Sequence, residues 1–213
     1  PSRNVTNVGF ELVKGAPVKH VPGQFAFYRF LSGVPGKEEH PFTISAGASV
    51  AAAKAGPTAA PDNSDTFLSF TAKALGDFTE ALPNVKIGDR LKVDGPYGVF
   101  SYYFIPQSRP MVWIAGGIGI TPFLSMARTR ARTNPGSNSG YEEHSHEKPL
   151  LIWNARQPED FIYHDELGAV TDLVQILDNQ EAEWSGRRGR ISAEVLEELL
   201  TKESIKNAAF FIC

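Results

Sequence analysis

The chain has 213 residues, enough for one large or two ordinary domains, and 42% of them are hydrophobic against 21% charged, so a sizeable core can form. A formal net charge of −3 gives no global reason to expect nucleic acid or an anionic membrane surface as partner, so an anion site must be a local cluster. The single cysteine, Cys213, excludes an internal disulfide framework and a cysteine-based zinc site within one chain, and points to a reducing compartment.

No apolar run approaches the roughly 20 residues of a membrane span, and no apolar h-region follows Pro1-Ser2-Arg3-Asn4. Residues 8–13 already read as a strand. Short β-type runs follow at Gln24–Leu31, Phe42–Ser45, Thr66–Ala74 and Arg90–Val93, separated by Gly and Pro. Such spacing predicts a small antiparallel barrel or sandwich. Residues 47–65 are rich in Ala, Gly, Pro and Ser without periodicity and read as an exposed loop.

From residue 110 the pattern changes to alternating strand and helix. Met111–Ala115 is a continuous apolar run of the kind a buried parallel strand needs. Thr121-Pro122 opens a helix to about Arg132, with Thr suited to the N-cap and Pro to the first helical position. Residues 133–148 form a polar loop; His144, His146 and Glu142 or Glu143 could hold a metal there, but solvated loop is the simpler reading and no metal site is expected. Pro149–Ala155 and Leu173–Leu177 are the next strands. Ser192 caps a helix to about Leu200, and Phe210–Cys213 is the last strand. This βαβ order implies an open parallel sheet with right-handed crossovers. The expected architecture is therefore two domains, an antiparallel β-barrel over 1–106 and an α/β open parallel sheet over 107–213. The run Ala208-Ala209-Phe210-Phe211-Ile212-Cys213 stops without a polar tail, so a piece of a longer protein is expected.

Three stretches carry chemistry. In Trp113-Ile114-Ala115-Gly116-Gly117-Ile118-Gly119-Ile120-Thr121-Pro122, a buried strand runs into a glycine-rich turn that opens a helix. Glycines allow close approach of phosphates, and the helix N-terminus offers N–H groups and a positive dipole end. In His40-Pro41-Phe42-Thr43-Ile44-Ser45, an aromatic ring could back an isoalloxazine and a hydroxyl could bond its edge; a plain barrel strand explains the same residues. Gly76-Asp77-Phe78-Thr79 reads as a second phosphate cradle or as a capped connecting turn.

The order His-Pro-Phe-Thr, Gly-Asp-Phe-Thr, Asp94-Gly95-Pro96-Tyr97-Gly98 and Gly-Gly-Ile-Gly-Ile-Thr-Pro resembles the ferredoxin–NADP reductase superfamily, and most of all its ferric reductase and NADPH oxidase branch. The resemblance runs from Pro22-Gly23-Gln24-Phe25 to Phe211-Ile212-Cys213. Most of the superfamily has Arg-x-Tyr-Ser where this chain has His40-Pro41-Phe42-Thr43, a form typical of that branch. The resemblance implies FAD on the barrel, with Phe42 on the isoalloxazine, Thr43 near N5, His40 near the pyrophosphate, Pro41 and Ser45 in the same motif, and Gly76, Asp77, Phe78 and Thr79 on the other side of the pyrophosphate. It implies NADP on Gly116, Gly117, Ile118, Gly119, Thr121 and Pro122. Cys213 matches the Cys of the family's Cys-Gly-Pro near the nicotinamide; the Gly-Pro and the aromatic C-terminus that often covers the flavin are absent here. Thr43 and Cys213 are thus the catalytic candidates.

The implied activity is hydride transfer from NADPH to FAD, then single electrons onward. The acceptor implied by the branch is heme in an upstream membrane domain, with this chain on the cytosolic face. A free-standing reductase serving a ferredoxin or oxygenase, or a non-catalytic flavin-fold regulatory subunit, are the alternatives. Preference for NADPH is expected from Arg156, at the end of a strand, and from Arg190, the match to a Gly-Arg of the oxidase branch. Arg187 and Arg188 are expected to be a solvated rim that steers anions.

Overall fold

A computed structural model of the chain describes residues 4–13, 18–33, 36–48, 67–106, 109–132, 147–180 and 182–213. The first half is antiparallel. Strands β1 (Val5–Glu11), β2 (Phe25–Phe30), β3 (His40–Thr43) and β4 (Phe67–Lys73) are followed by a single helical turn, α1 (Asp77–Ala81), and by β5 (Leu91–Tyr97). β2 is the centre of a three-stranded sheet in the order β3-β2-β5, and β1 pairs with β4; an antiparallel bridge between Ile44 and Phe70 joins the two sheets. β2 shows why these runs are strands: Ala26, Tyr28 and Phe30 point inward and are buried, while Phe25, Phe27 and Arg29 alternate outward. β4 is buried on both faces. Leu68, Phe70 and Ala72 enter the hydrophobic core with Tyr28, Ile44 and Phe78, whereas Ser69 and Thr71 face a polar seam.

The second half is a five-stranded parallel sheet. In chain order its elements are β6 (Met111–Gly116), α2 (Thr121–Arg132), β7 (Leu150–Ala155), α3 (His164–Val170), β8 (Asp172–Leu177), β9 (Arg187–Arg188), α4 (Ala193–Leu199), α5 (Lys202–Asn207) and β10 (Ala209–Ile212). The strand order is β10-β6-β7-β8-β9. β6 reads as a continuous apolar run because both its faces are covered. Trp113 and Ala115 pack with Phe123, Leu124 and Trp153 on one side, and Val112 and Ile114 with Ile152, Ile176 and Leu200 on the other. The described residues contain no helix long and apolar enough to cross a membrane.

The strands other than β9 and the α2 and α4 helices fall where the sequence pattern predicts, within about three residues at their ends except for β5, which runs on to Tyr97, while the short β9 lies in what the sequence reads as loop. Ser192 does cap α4, accepting from the Val195 amide. Three expectations need correction. Thr121 is not the N-cap of α2: a 3₁₀ turn over Gly117–Ile120 precedes it, and Thr121 already has helical angles, so its hydroxyl is released from capping. Gly47 and Ala48 are not exposed loop but are buried against α2, with Ala48 fully covered. The short helices α3 and α5 have no counterpart in the sequence pattern; α3 starts from a left-handed Tyr163 and contains Gly168, which hides its periodicity. The rest of the 47–65 segment, and the 133–146 stretch with His144 and His146, lie outside the described residues.

Candidate cofactor site

β3 presents its motif at the rim of the first half. The Phe42 ring is half-buried and lies flat on Phe70, with centroids 4.8 Å apart and an 8° interplanar angle. Phe78, from α1, packs 6.0 Å from Phe42 and 3.8 Å beneath the His40 ring. Burial of Phe78 is therefore what carries the Gly76–Thr79 turn to the side of His40 and Phe42. His40 Nε2 lies 3.3 Å from the Glu38 carboxylate, and Pro41 is exposed. The Thr79 hydroxyl accepts from the amides of Leu75 and Gly76 at 2.9 and 3.2 Å and donates to the Gly76 carbonyl at 3.0 Å. That is the chemistry of a capped turn. Gly76 and Asp77 are exposed, and no atom lies within 4 Å of where a Gly76 Cβ would stand.

On the second half, β6 ends at Gly116 and the chain turns through Gly117–Ile120 into α2. Gly117 has φ +51, the left-handed region, and its carbonyl accepts from Trp153 Nε1 at 2.9 Å. Its missing Cβ faces open space. Gly119 is glycine for a different reason: a Cβ there would stand 2.6 Å from the carbonyl carbon and oxygen of Cys213. The end of β10 is closed onto β6 by Cys213 N donating to Ile114 O and Gly116 N donating to Cys213 O. Cys213 is exposed on one side, but partial burial pushes its thiol pKa up, so at neutral pH it is a thiol rather than a thiolate.

The two motif sets meet at one hydrogen bond. Thr121 Oγ1, released from capping, donates to Thr43 Oγ1 at 3.2 Å across 78 residues of chain. Thr43, Thr121, the glycine turn and Cys213 therefore share one edge. Ser45 does not reach it. Its residue is fully buried and its hydroxyl is engaged by Ser69 and Thr71, so it belongs to the seam.

The arginines separate into two kinds. Arg187 forks onto Glu198 at 2.7 and 2.8 Å, and Arg188 donates to the carbonyls of Asn179, Gln180, Ala182 and Trp184. Arg187 thus ties β9 to α4, and Arg188, itself exposed, holds together the turn after β8. Arg156 is exposed just past β7. Arg190 is exposed too, with its Nε shared between the two oxygens of Asp178 at 3.3 and 3.4 Å. Asn154 ties these positions together by donating to Ile176 O and Gly189 O. Gly116, Arg156, Asp178, Arg190 and Cys213 all follow or close the C-terminal ends of parallel strands, where ligands of open α/β sheets bind. Asp178 and Asn154 escape a reading of the sequence; the signal for Asp178 is its place one residue after a parallel strand.

The residues fit the two expected cofactors. A flat aromatic face at Phe42, a hydroxyl at Thr43, and open space at Gly76 and Gly117 are features that a bound flavin and dinucleotide would use. By contrast, an open groove between β1 and β5, lined by Val8, Phe10, Leu12, Leu91 and Val93 among others, touches the Asp94-Gly95-Pro96 motif but includes none of the residues of the His40–Ser45, Gly76–Thr79 or Gly116–Pro122 stretches.

Residues 113–213 match the model of the oxidoreductase NAD-binding domain family. NADH-cytochrome b5 reductase 1 of Aspergillus terreus is 31% identical over 160 residues, 71% of this chain and 52% of that protein. A heavy chain of the superoxide-generating NADPH oxidase of Dictyostelium discoideum is 31% identical over 181 residues, 75% of this chain and 23% of that protein. The fold superimposes on a ferredoxin NADP+ reductase from Neisseria gonorrhoeae, solved with bound FAD and NADP, with a TM-score of 0.67 at 17% identity, over 97% of this chain and 78% of that one. The chain spans about half, or less, of the length of the curated relatives it matches. With the antiparallel half, the parallel sheet and the shared edge already in place, these likenesses make the chain a member of the ferredoxin–NADP reductase-like superfamily, carrying its NAD-binding oxidoreductase domain.

Proposed function

We propose that the chain is a flavin-dependent NADPH oxidoreductase, with FAD on the half up to residue 106 and NADPH on the half from residue 107. The observation that carries this reading is the Thr121–Thr43 hydrogen bond at 3.2 Å, which puts the end of one cofactor motif against the end of the other. A flavin held there would supply hydride acceptance from reduced nicotinamide and single-electron release. Phe42 supplies a stacking face and Thr43 a hydroxyl at its edge. His40 and the Gly76–Thr79 turn lie beside them and are the candidates for the pyrophosphate. The Gly116–Thr121 turn and Pro122 receive the dinucleotide, with Ile118 on the same turn. Cys213, as a neutral thiol, adds bulk and a weak donor without a charge that would compete for the nicotinamide. Arg156 and Arg190 are the cations for a 2′-phosphate. The chain's own contribution is alignment and fixed dipoles, with no acid–base pair required.

The finer reading is a ferric reductase or NADPH oxidase type of protein, in which heme of an upstream membrane domain takes the electrons and this chain lies on the cytosolic face. His40-Pro41-Phe42-Thr43 and the Dictyostelium relative support it. The likeness to a cytochrome b5 reductase favours a second reading, a reductase that serves a separate protein acceptor. The test uses the full-length protein. FAD should bind saturably, and NADPH should reduce both the flavin and, anaerobically, a heme in the same polypeptide. Flavin reduction without any heme in the chain supports the second reading; absence of FAD binding overturns both.

A further inference from the structure

The segment that continues β3 is held in an unusual way. On its barrel side it pairs as a strand, with Ile44 N donating to Gln24 O and Ser45 N to Ser69 O. On its other side the partner is a helix. Arg128 donates to Ser45 O at 2.8 Å, Ser125 to Ala46 O at 2.9 Å and Arg132 to Gly47 O at 3.1 Å, while Thr129 Oγ1 accepts from Ala48 N at 2.9 Å. With Thr121 on Thr43, the five side chains at 121, 125, 128, 129 and 132 recur every three or four residues and so occupy one face of α2. Gly47 is required by this approach, because a Cβ there would stand 2.9 Å from Arg128 Cβ and 3.0 Å from its carbonyl carbon. Ser45, Ala48, Ser125 and Thr129 are fully buried, so a partner removed here leaves a polar group unsatisfied. Arg128 is itself fixed by a fork onto Glu166 and by the Tyr163 ring 5.0 Å away.

The same helix begins at the glycine turn assigned to the dinucleotide, and the same strand begins at Phe42 and Thr43. We propose that the polar face of α2 is a clamp that presets the two cofactor sites relative to each other, with Ser125, Arg128, Thr129 and Arg132 as positioning residues for hydride transfer. Sliding one half past the other breaks consecutive bonds to the 45–48 backbone, so the register of Thr43 against the turn is held by the chain's own bonds. The inference rests on the two-cofactor reading above, but the clamp itself can be read without cofactors.

The test compares Thr129→Val, which removes the acceptor of the Ala48 amide, with Thr129→Ser, which keeps it, and with Ser125→Ala, all in the full-length protein. In the cofactor-free state, hydrogen exchange of the Ala48 amide should quicken at least tenfold in Thr129→Val, with β2 and β7 amides unchanged. In the FAD-loaded state, the limiting rate of flavin reduction by NADPH should fall about tenfold, a loss in the range that misplacement of reacting groups produces. Its deuterium isotope effect should become temperature-dependent, while Kd for FAD and for NADP+ stays within about twofold, and Thr129→Ser should restore both readouts. Ser125→Ala should show the same split if Thr129→Val folds poorly. Wild-type flavin reduction with a loosened Ala48 amide overturns the proposal, as does a loss explained by weaker cofactor binding. If the wild-type protein takes up no FAD, the two-cofactor reading fails instead; exchange then decides the clamp, supported by loosening confined to 44–48 and overturned by loosening spread through both halves.

Discussion

The two glycine-to-threonine turns of this protein are built from the same vocabulary and do different things. In Gly76–Thr79 the threonine hydroxyl turns back on its own backbone, bonding Leu75 N, Gly76 N and Gly76 O. In Gly116–Thr121 the threonine hydroxyl leaves its turn and crosses to Thr43 in the other half. The glycines differ in the same way. Gly76 and Gly117 face open space, whereas Gly119 is filled by the Cys213 backbone. A sequence match to a phosphate cradle therefore covers three distinct physical demands: room for a ligand, room for the protein's own chain, and a hydroxyl whose partner is either local or distant.

The sharpest way to break this comparison is to add a methyl group at each glycine. Gly119→Ala should destabilise the fold by about 2 kcal/mol through overpacking against Cys213, lowering the melting temperature by roughly 4–8 °C. Gly76→Ala has an extended backbone and open space, so its melting temperature should stay at the wild-type value while FAD binding weakens. Thermal melts and a flavin titration decide; equal melting temperatures for the two variants would mean that Gly119 is not a packing glycine.

A second contrast separates the threonines. Thr79→Val should lose a cap, at about 1 kcal/mol, and should weaken FAD binding without slowing reduction of the bound flavin. Thr121→Val should do the reverse, keeping FAD affinity and slowing flavin reduction about tenfold. Stopped-flow reduction by NADPH together with FAD titration measures both, and the same pattern in the two variants would erase the distinction between local and distant hydroxyls.

The Gly189–Arg190 turn lies between these cases, because Asp178 already holds Arg190. Removing a charge-assisted bond at a 2′-phosphate corresponds to about a tenfold loss of affinity or somewhat more. Arg190→Ala and Arg156→Ala should each weaken NADPH by about that factor and leave NADH unchanged. Asp178→Asn should tighten NADPH by freeing Arg190. Dissociation constants for both dinucleotides test this; parallel losses for NADH and NADPH would remove the arginines from phosphate reading.

The smallest effect is expected at Arg187 and Glu198. The Arg187 guanidinium holds the Glu198 carboxyl below the usual carboxylate range. A depressed folded-state pKa contributes stability above the unfolded value and loses it as pH falls through the folded one. Glu198→Gln should therefore melt slightly below wild type at neutral pH and converge with it in acid, with dinucleotide affinities unchanged. A change in NADPH affinity would return Arg187 to the binding surface.

Local pattern was enough for much of the molecule. The alternation in β2, the apolar run of β6 and the Ser192 cap of α4 are short-range features, and each appears where it was expected because a strand or helix burying one face needs that spacing. The motif residues were legible for the same reason, since turns and helix starts impose residue types locally. What the tertiary structure alone decided was where the polar groups point. Thr121 looked like a cap and became a cross-link, Gly47 and Ala48 looked like loop and became the seat of α2, and Arg187 and Arg188 found their partners in α4 and in the turn after β8. Ser45 left the cofactor motif for the seam by the same route. The hydrogen bonds between α2 and residues 43–48 span 78 to 85 residues, and their partners are fixed only when the two halves pack and each buried donor must find an acceptor. No window of sequence contains both ends of such a bond, so the pairing is settled by the packing of the halves and not by the residues on either side of each threonine or arginine.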